Sequence, residues 1–385
     1  MKDIDIAVVT GDGAAPEMME VAWRVAYTAA LLDNIKIHPV YTPMGWNAHR
    51  EHGDTLPKKS LRGALEIGTV FFGGVGDPEY DITIGKEHPE MMPEARCLLA
   101  LRKEMGLLLN FRPFLYFKAL AHLTKVKPEY IPDEGVRQVF IRFLLEDTYF
   151  GNEWACNGDF APEAAVLGIK LKKNITGKED FVADIGFYSR ETLLQYFRAA
   201  FAEARKLGLP LISVDKANVM PRYVFWRRIA EEVHQEFPDV TLTHQLVDSA
   251  NTLLFEPAKL HGVIACGNEH GDILSDGAAG AFGSMGLMCS SSINPVTGAA
   301  MFESGAGTAP TLKGKDVANP LGRIFTAAMM LRHLGALKGA DTIEVAIQKT
   351  LLNGWRTYDL FNGKTDDPNK VVGTQRMGQL VLDAL

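Results

Sequence analysis

The stretch Ile4-Asp5-Ile6-Ala7-Val8-Val9-Thr10-Gly11-Asp12-Gly13-Ala14-Ala15-Pro16-Glu17 decides the fold class. Ile4 to Val9 is a short apolar run, Thr10 to Gly13 is a turn, and from Pro16 onward Met18, Val21, Ala22, Val25 and Ala26 recur at helical spacing. Strand, glycine turn and helix in that order open an α/β unit. The turn holds only G-D-G and not G-x-G-x-x-G, so by itself it is no dinucleotide fingerprint. The alternation continues downstream. Strands are expected at 35–41, 69–74, 107–113 (ended by Pro113), 209–214, 240–245 and 260–265, and helices at 61–67, 98–107, 190–207, 219–237, 321–334 and 375–382. Residues 152–179 are the least regular segment and carry the basic patch Lys170-Leu171-Lys172-Lys173. The stretches 278–292 and 301–310 read as small-residue and loop sequence. Backbone N–H groups of the second could cradle an anion.

The candidate chemistry lies in Cys266-Gly-Asn-Glu-His-Gly-Asp-Ile-Leu-Ser-Asp276. Asp272 and Asp276 stand four apart on a predicted helix, so both carboxylates share one face about one turn apart. That repulsion calls for compensation, and hard oxygen donors suit Mg²⁺ or Mn²⁺. Arg102, Arg112 and Arg142 each sit near the end of an apolar segment, where the guanidinium fork suits a carboxylate. Lys216 ends a buried strand. A snorkelling surface lysine is an equal reading of that position.

Composition narrows the class. The chain has 385 residues, which suggests two domains, and a net charge of −7, which argues against a general nucleic-acid binder. The four cysteines form no C-x-x-C pair, so neither a zinc motif nor a disulfide framework is indicated. Charges interrupt the N-terminal apolar run and no run nears the length of a membrane span, so a cytoplasmic protein with no membrane partner is expected.

Together the segments resemble the isocitrate/3-isopropylmalate dehydrogenase family of β-decarboxylating dehydrogenases, nearest its isopropylmalate, tartrate and D-malate branch. The resemblance spans nearly the whole chain. It is carried by GDGAAPE (11–17), LLALRK (98–103), NFRP (110–113), Ile141-Arg142 with Tyr149-Phe150-Gly151, VDKANV (214–219), HQLVD (244–248), GNEHGDILSD (267–276), GTAP (307–310) and GKDVANP (314–320). It implies an α/β, two-domain isopropylmalate dehydrogenase-like fold with a mixed sheet spanning both domains. A discontinuous cofactor-binding domain would comprise 1–107 plus 283–385. A substrate, metal and dimerisation domain would comprise 108–282, with an intersubunit arm near 152–186.

The resemblance also implies roles. Arg102, Arg112 and Arg142 would hold the carboxylates of a 2-hydroxy diacid, with Leu98 and Leu99 against its branched group. Asp248, Asp272 and Asp276 would bind Mg²⁺ or Mn²⁺, Lys216 would deprotonate the hydroxyl, and Tyr149 would protonate the enolate. Gly307, Thr308, Ala309, Thr311, Asn319 and Tyr358 would line the site of NAD. NADP is not excluded, although the Lys-Tyr pair of NADP enzymes is replaced by Thr311-Leu312. Lys216 and Asp248 would serve the site of the other subunit in a homodimer.

The implied activity is oxidative decarboxylation of a 3-substituted malate, with 3-isopropylmalate favoured and tartrate, D-malate or a specialised 2-hydroxy diacid as alternatives. A catalytically silent regulatory paralogue is the alternative of another class. Departures from the family pattern at Ala306, Thr311 and Phe143 point toward it; the retained Lys216, Tyr149 and three aspartates point away. Further departures are Glu146 and Asp147, where the family has glycine-rich sequence, and His270 beside the Asp272/Asp276 pair.

Overall fold

A computed structural model describes residues 1–133, 135–149, 186–283, 285–305 and 307–385. Ten strands form one mixed sheet: β1 Lys2–Val9, β2 Ile35–Tyr41, β3 Thr69–Phe72, β4 Leu109–Leu115, β5 Arg137–Phe143, β6 Leu211–Asp215, β7 Leu242–Leu246, β8 Gly262–Cys266, β9 Cys289–Ile293 and β10 Ala300–Ser304. Their order across the sheet is β2-β1-β3-β10-β9-β4-β5-β8-β6-β7. Both flanks are parallel, β2 to β10 on one side and β5 to β7 on the other, and antiparallel β9 and β4 join them.

Side-chain alternation places the core on both faces. In the first flank Ile6, Val8, Phe71 and Phe302 pack under the helices Ala15–Ala30, Leu321–His333 and Leu337–Leu352, while Ala7, Val9, Val70, Phe72 and Met301 pack with Cys97 and Leu101 on the other side. In the second flank Val139, Ile141 and Phe143 meet the helices Arg190–Leu207 and Pro221–His234. The opposite residues Phe140, Ile264 and Cys266 meet Leu274 and Ala278 of the helix Asn268–Phe282.

Three expectations need correction. Pro113 does not end its strand. It pairs with Val139 inside β4, and β9 runs alongside only from Leu109 to Phe111, so the proline falls where the strand is paired on one side. The stretches 278–292 and 301–310 supply β9 and β10 at the middle of the sheet. Ser290, Ser291 and Ser292 are all buried, so this strand lacks the apolar signature of a central strand. The expected helix at 98–107 begins earlier, as a π-helical turn over Glu94–Leu99 that continues as α-helix over Ala100–Glu104. Phe150, Gly151, Ala306, the 152–179 insert and most of the expected arm lie outside the described residues.

Candidate active site

The polar strip in the sheet is the floor of the site. Cross-strand register puts Asn110 opposite both Arg142 and Ser292, and Glu303 opposite Ser290, so these residues and Arg112 project from one face. Asn110 donates its amide to Ser290 Oγ at 2.7 Å and Ser292 Oγ at 3.1 Å. The strip separates the two apolar clusters on that face, leaving a cleft between the segment Ala100–Glu104 and the helix Asn268–Phe282.

Three arginines enter this cleft. Arg102, nearly buried, pairs with Glu303 at 2.7 Å. Arg112 donates to Ser275 Oγ at 2.8 Å and pairs with both Asp272 and Asp276 at 3.1 Å. Arg142 donates to Asn268 Oδ1 at 2.8 Å and also pairs with Asp272. Burial, with the like charge of Arg112 close by, lowers the Arg142 guanidinium to about 10. Gly271 permits this approach, since a Cβ there would lie 2.9 Å from the Arg142 side chain. The Asp272/Asp276 pair is thus compensated by guanidinium groups, and burial raises the Asp276 carboxyl. Tyr149, about half exposed, has its ring 5.3 Å below the Arg142 guanidinium. Burial and the Asp272 charge raise its phenol, which keeps it protonated at neutral pH.

Lys216 follows the carboxyl end of β6 and Asp248 that of β7, and the two form an ion pair. The Asp248 side chain is 64% exposed. Among the described residues no three carboxylate, histidine or cysteine groups lie close enough to hold a metal. The expected triad of Asp248, Asp272 and Asp276 is therefore not assembled within one chain. Two hard-oxygen donors one helical turn apart are present, and the third sits beside Lys216.

The candidate cofactor residues gather elsewhere, at the carboxyl ends of the parallel strands β1, β3 and β10. Ligands of open α/β sheets collect at such ends. Ala14 N–H donates to Thr308 O at 2.8 Å, and a Cβ on Gly11, whose φ is +80°, would run into the Gly74 carbonyl. Gly307 and Ala309 both have positive φ, and the buried Arg323 donates to Gly307 O at 2.7 Å. Asn319 donates its amide to Asp359 Oδ2 at 3.0 Å, whereas Thr311 and Tyr358 are exposed.

The family model for isocitrate/isopropylmalate dehydrogenase matches residues 5–381. The chain belongs to the isocitrate/isopropylmalate dehydrogenase family. It is 37% identical over 381 residues to a 3-isopropylmalate dehydrogenase of Ralstonia nicotianae, with 99% of each chain covered. Among solved structures it is similar to the isocitrate dehydrogenase of Methylococcus capsulatus, at 25% identity and a TM-score of 0.78 over 99% of both chains. It is also similar to a β-decarboxylating dehydrogenase of Thermococcus kodakarensis, at 27% identity and a TM-score of 0.73, covering 99% of this chain and 96% of that one.

Placed in this family, one departure finds a structural explanation. Phe143 is fully buried, with ring contacts at 5.2 Å to Tyr196, 5.4 Å to Tyr188 and 6.1 Å to Trp226. It belongs to the core and forms no wall of the cleft. Phe143→Ala should lower stability by about 3–5 kcal/mol while leaving substrate preference unchanged, as thermal unfolding and a substrate panel will report. Leu98 packs on the first-flank core, and Leu99 is half-buried. A cavity of about 370 Å³ lies apart from the cleft. Phe111, Pro113 and Val139 line it, and they alternate with Arg112 and Phe140, so it opens on the opposite face of the sheet. Sequence reasoning missed Glu303 and Ser275. Neither carries a local signal, because each finds its arginine only through the fold.

Proposed function

We propose that this dehydrogenase catalyses the metal-dependent, NAD-linked oxidative decarboxylation of a 3-substituted malate, with 3-isopropylmalate favoured, as a homodimer with shared active sites. The carrying observation is the cluster of Arg102, Arg112 and Arg142 facing Asp272 and Asp276, with Tyr149 at its edge. Residues 1–107 with 283–385 would bind the cofactor, and 108–282 the diacid.

When bound, the cation would supply Lewis acidity to the hydroxyl and keto oxygen, and the nicotinamide would accept the hydride. Asp272 and Asp276 fit such a cation as hard donors, with the second copy's Asp248 completing the set. The three guanidinium groups would exchange their carboxylate partners for those of the diacid. Lys216 from the second copy would take the hydroxyl proton. After the 3-carboxylate leaves as CO₂, Tyr149 would give its proton to the carbon that carried it. Leu98 and Leu99 favour a branched apolar substituent over a third carboxylate. Absence of a Lys-Tyr pair at Thr311-Leu312 favours NAD over NADP.

Exposed apolar side chains near the donated residues support a second copy. Val219 is 64% exposed, and Val224 lines a cavity with Ala217, Asn218 and Leu246 beside Lys216. With Mn²⁺ present, 3-isopropylmalate and NAD should yield NADH and CO₂ in equal amounts, and chelation should abolish both. A panel containing isocitrate, tartrate and D-malate with NAD and NADP is the test. No turnover with any pair would favour a silent paralogue.

A further inference from the structure

The loop of residues 144–149 after β5 departs from the family pattern, and its geometry is unusual. Asp147 has φ +77° and is fully buried. A non-glycine residue in that region carries backbone strain unless its surroundings hold it there. Here they do. Asp147 Oδ2 accepts the Tyr188 hydroxyl at 2.7 Å and the Asn268 N–H at 3.0 Å, and Oδ1 lies 3.4 Å from Arg222. The carboxylate thus meets the first turn of the helix that carries Asp272 and Asp276, where an anion is favoured.

The cluster extends outward. The Tyr188 and Tyr223 hydroxyls lie 3.3 Å apart, and Tyr223 stacks on His270 at 4.9 Å with 9° between planes. Asp147 and His270, two positions where the chain departs from its family, therefore meet through one cluster. Gly267 leaves room for it, since a Cβ there would collide with the Tyr188 hydroxyl and the Asp147 carboxylate. The neighbours of Asp147 are tied as firmly. Glu146 accepts the Ser189 N–H at 2.8 Å and the Thr192 hydroxyl at 2.8 Å, and Leu144 O accepts the Asn268 amide at 2.8 Å. Sheet topology explains the convergence: β5, β8 and β6 are parallel, so the segments leaving their carboxyl ends share one edge.

We infer that Asp147 is a positioning residue that clamps the Tyr149 loop between the first turn of the aspartate-bearing helix and Arg222 on the helix after Lys216. Tyr149 lies two residues beyond the clamp, and the phenol can deliver its proton to one face of the enolate carbon only if its loop is fixed. The inference rests on the assignment of Tyr149 as proton donor under Proposed function.

The test runs the full-length enzyme in D₂O with Mn²⁺, NAD and 3-isopropylmalate, and reads which C3 hydrogen of the product is deuterium. Wild type should give one C3 enantiomer. Asp147→Gly relieves the backbone but deletes the clamp. It should give a mixture of enantiomers, with kcat down on the order of 10–100-fold and KM for the diacid changed by less than about twofold. Arg222→Gln loosens the clamp from the far side without touching the loop and should give a partial mixture. It decides the matter if Asp147→Gly fails to fold. Full enantiomeric purity in the folded variants, whatever their rates, overturns the inference and leaves Asp147 a structural residue. Absence of wild-type turnover overturns the functional reading itself, along with this inference.

Discussion

Lys216→Met should lower kcat by about 10²–10⁴-fold, the range for losing a positioned proton-transfer group. Its fold should survive. Asp248 is mostly exposed, and an exposed ion pair of this kind contributes at most about 1 kcal/mol. Substrate and NAD should still bind, because neither the arginine cluster nor the loops after β1, β3 and β10 depend on Lys216. Steady-state NADH production against 3-isopropylmalate, with binding of the diacid measured separately by calorimetry, distinguishes lost chemistry from lost binding. A variant that keeps near wild-type kcat would make Lys216 a surface lysine and leave hydroxyl deprotonation without a base.

The second large effect concerns Arg142. It is 3% exposed and connects Asn268, Asp272 and the face of Tyr149. Arg142→Met would leave the Asn268 amide oxygen without this donor and Asp272 with Arg112 alone. Breaking one side of a buried pair costs about 3–5 kcal/mol. Part of that will appear as a lower melting temperature and part as weaker diacid binding. Losing a charged hydrogen bond of about 1.5–3 kcal/mol corresponds to a KM raised roughly 10–150-fold. Arg142→Lys should recover stability better than binding, because an ammonium restores the charge without the two-pronged fork. Equal recovery of both would mean that Arg142 acts as a point charge.

What could be read from the sequence follows from where the signal is local. The opening strand and helix, the 35–41 strand and the Asp272/Asp276 face are encoded within a few residues by period and spacing. The central strands β9 and β10 were illegible because their task opposes the usual pattern. Ser290, Ser292 and Glu303 serve a polar floor, so a buried strand reads as a polar loop. Pairing of Arg102 with Glu303 spans 201 positions, and the meeting of Asp147, Tyr188, Arg222 and Asn268 depends on three strand ends sharing one edge. The family resemblance anticipated the three arginines and two of the aspartates around one cleft. The exchange of glycine-rich sequence for Glu146 and Asp147 is visible in the sequence, but the side-chain partners of Asp147 are not, because each is long-range.

The central claim is that the Tyr149 cleft of one chain is completed by Lys216 and Asp248 of a second. Subunit complementation tests it most directly. Tyr149→Phe and Lys216→Met, each nearly inactive alone, are mixed in equal amounts, dissociated and reassembled, and Mn²⁺-dependent NADH production is measured. Random pairing makes half the dimers mixed, and each mixed dimer holds one site with both native groups, so the activity should return to about a quarter of wild type. No recovery above the parent variants, in a sample shown to contain mixed dimers, would place both residues in the same chain's site and contradict the account.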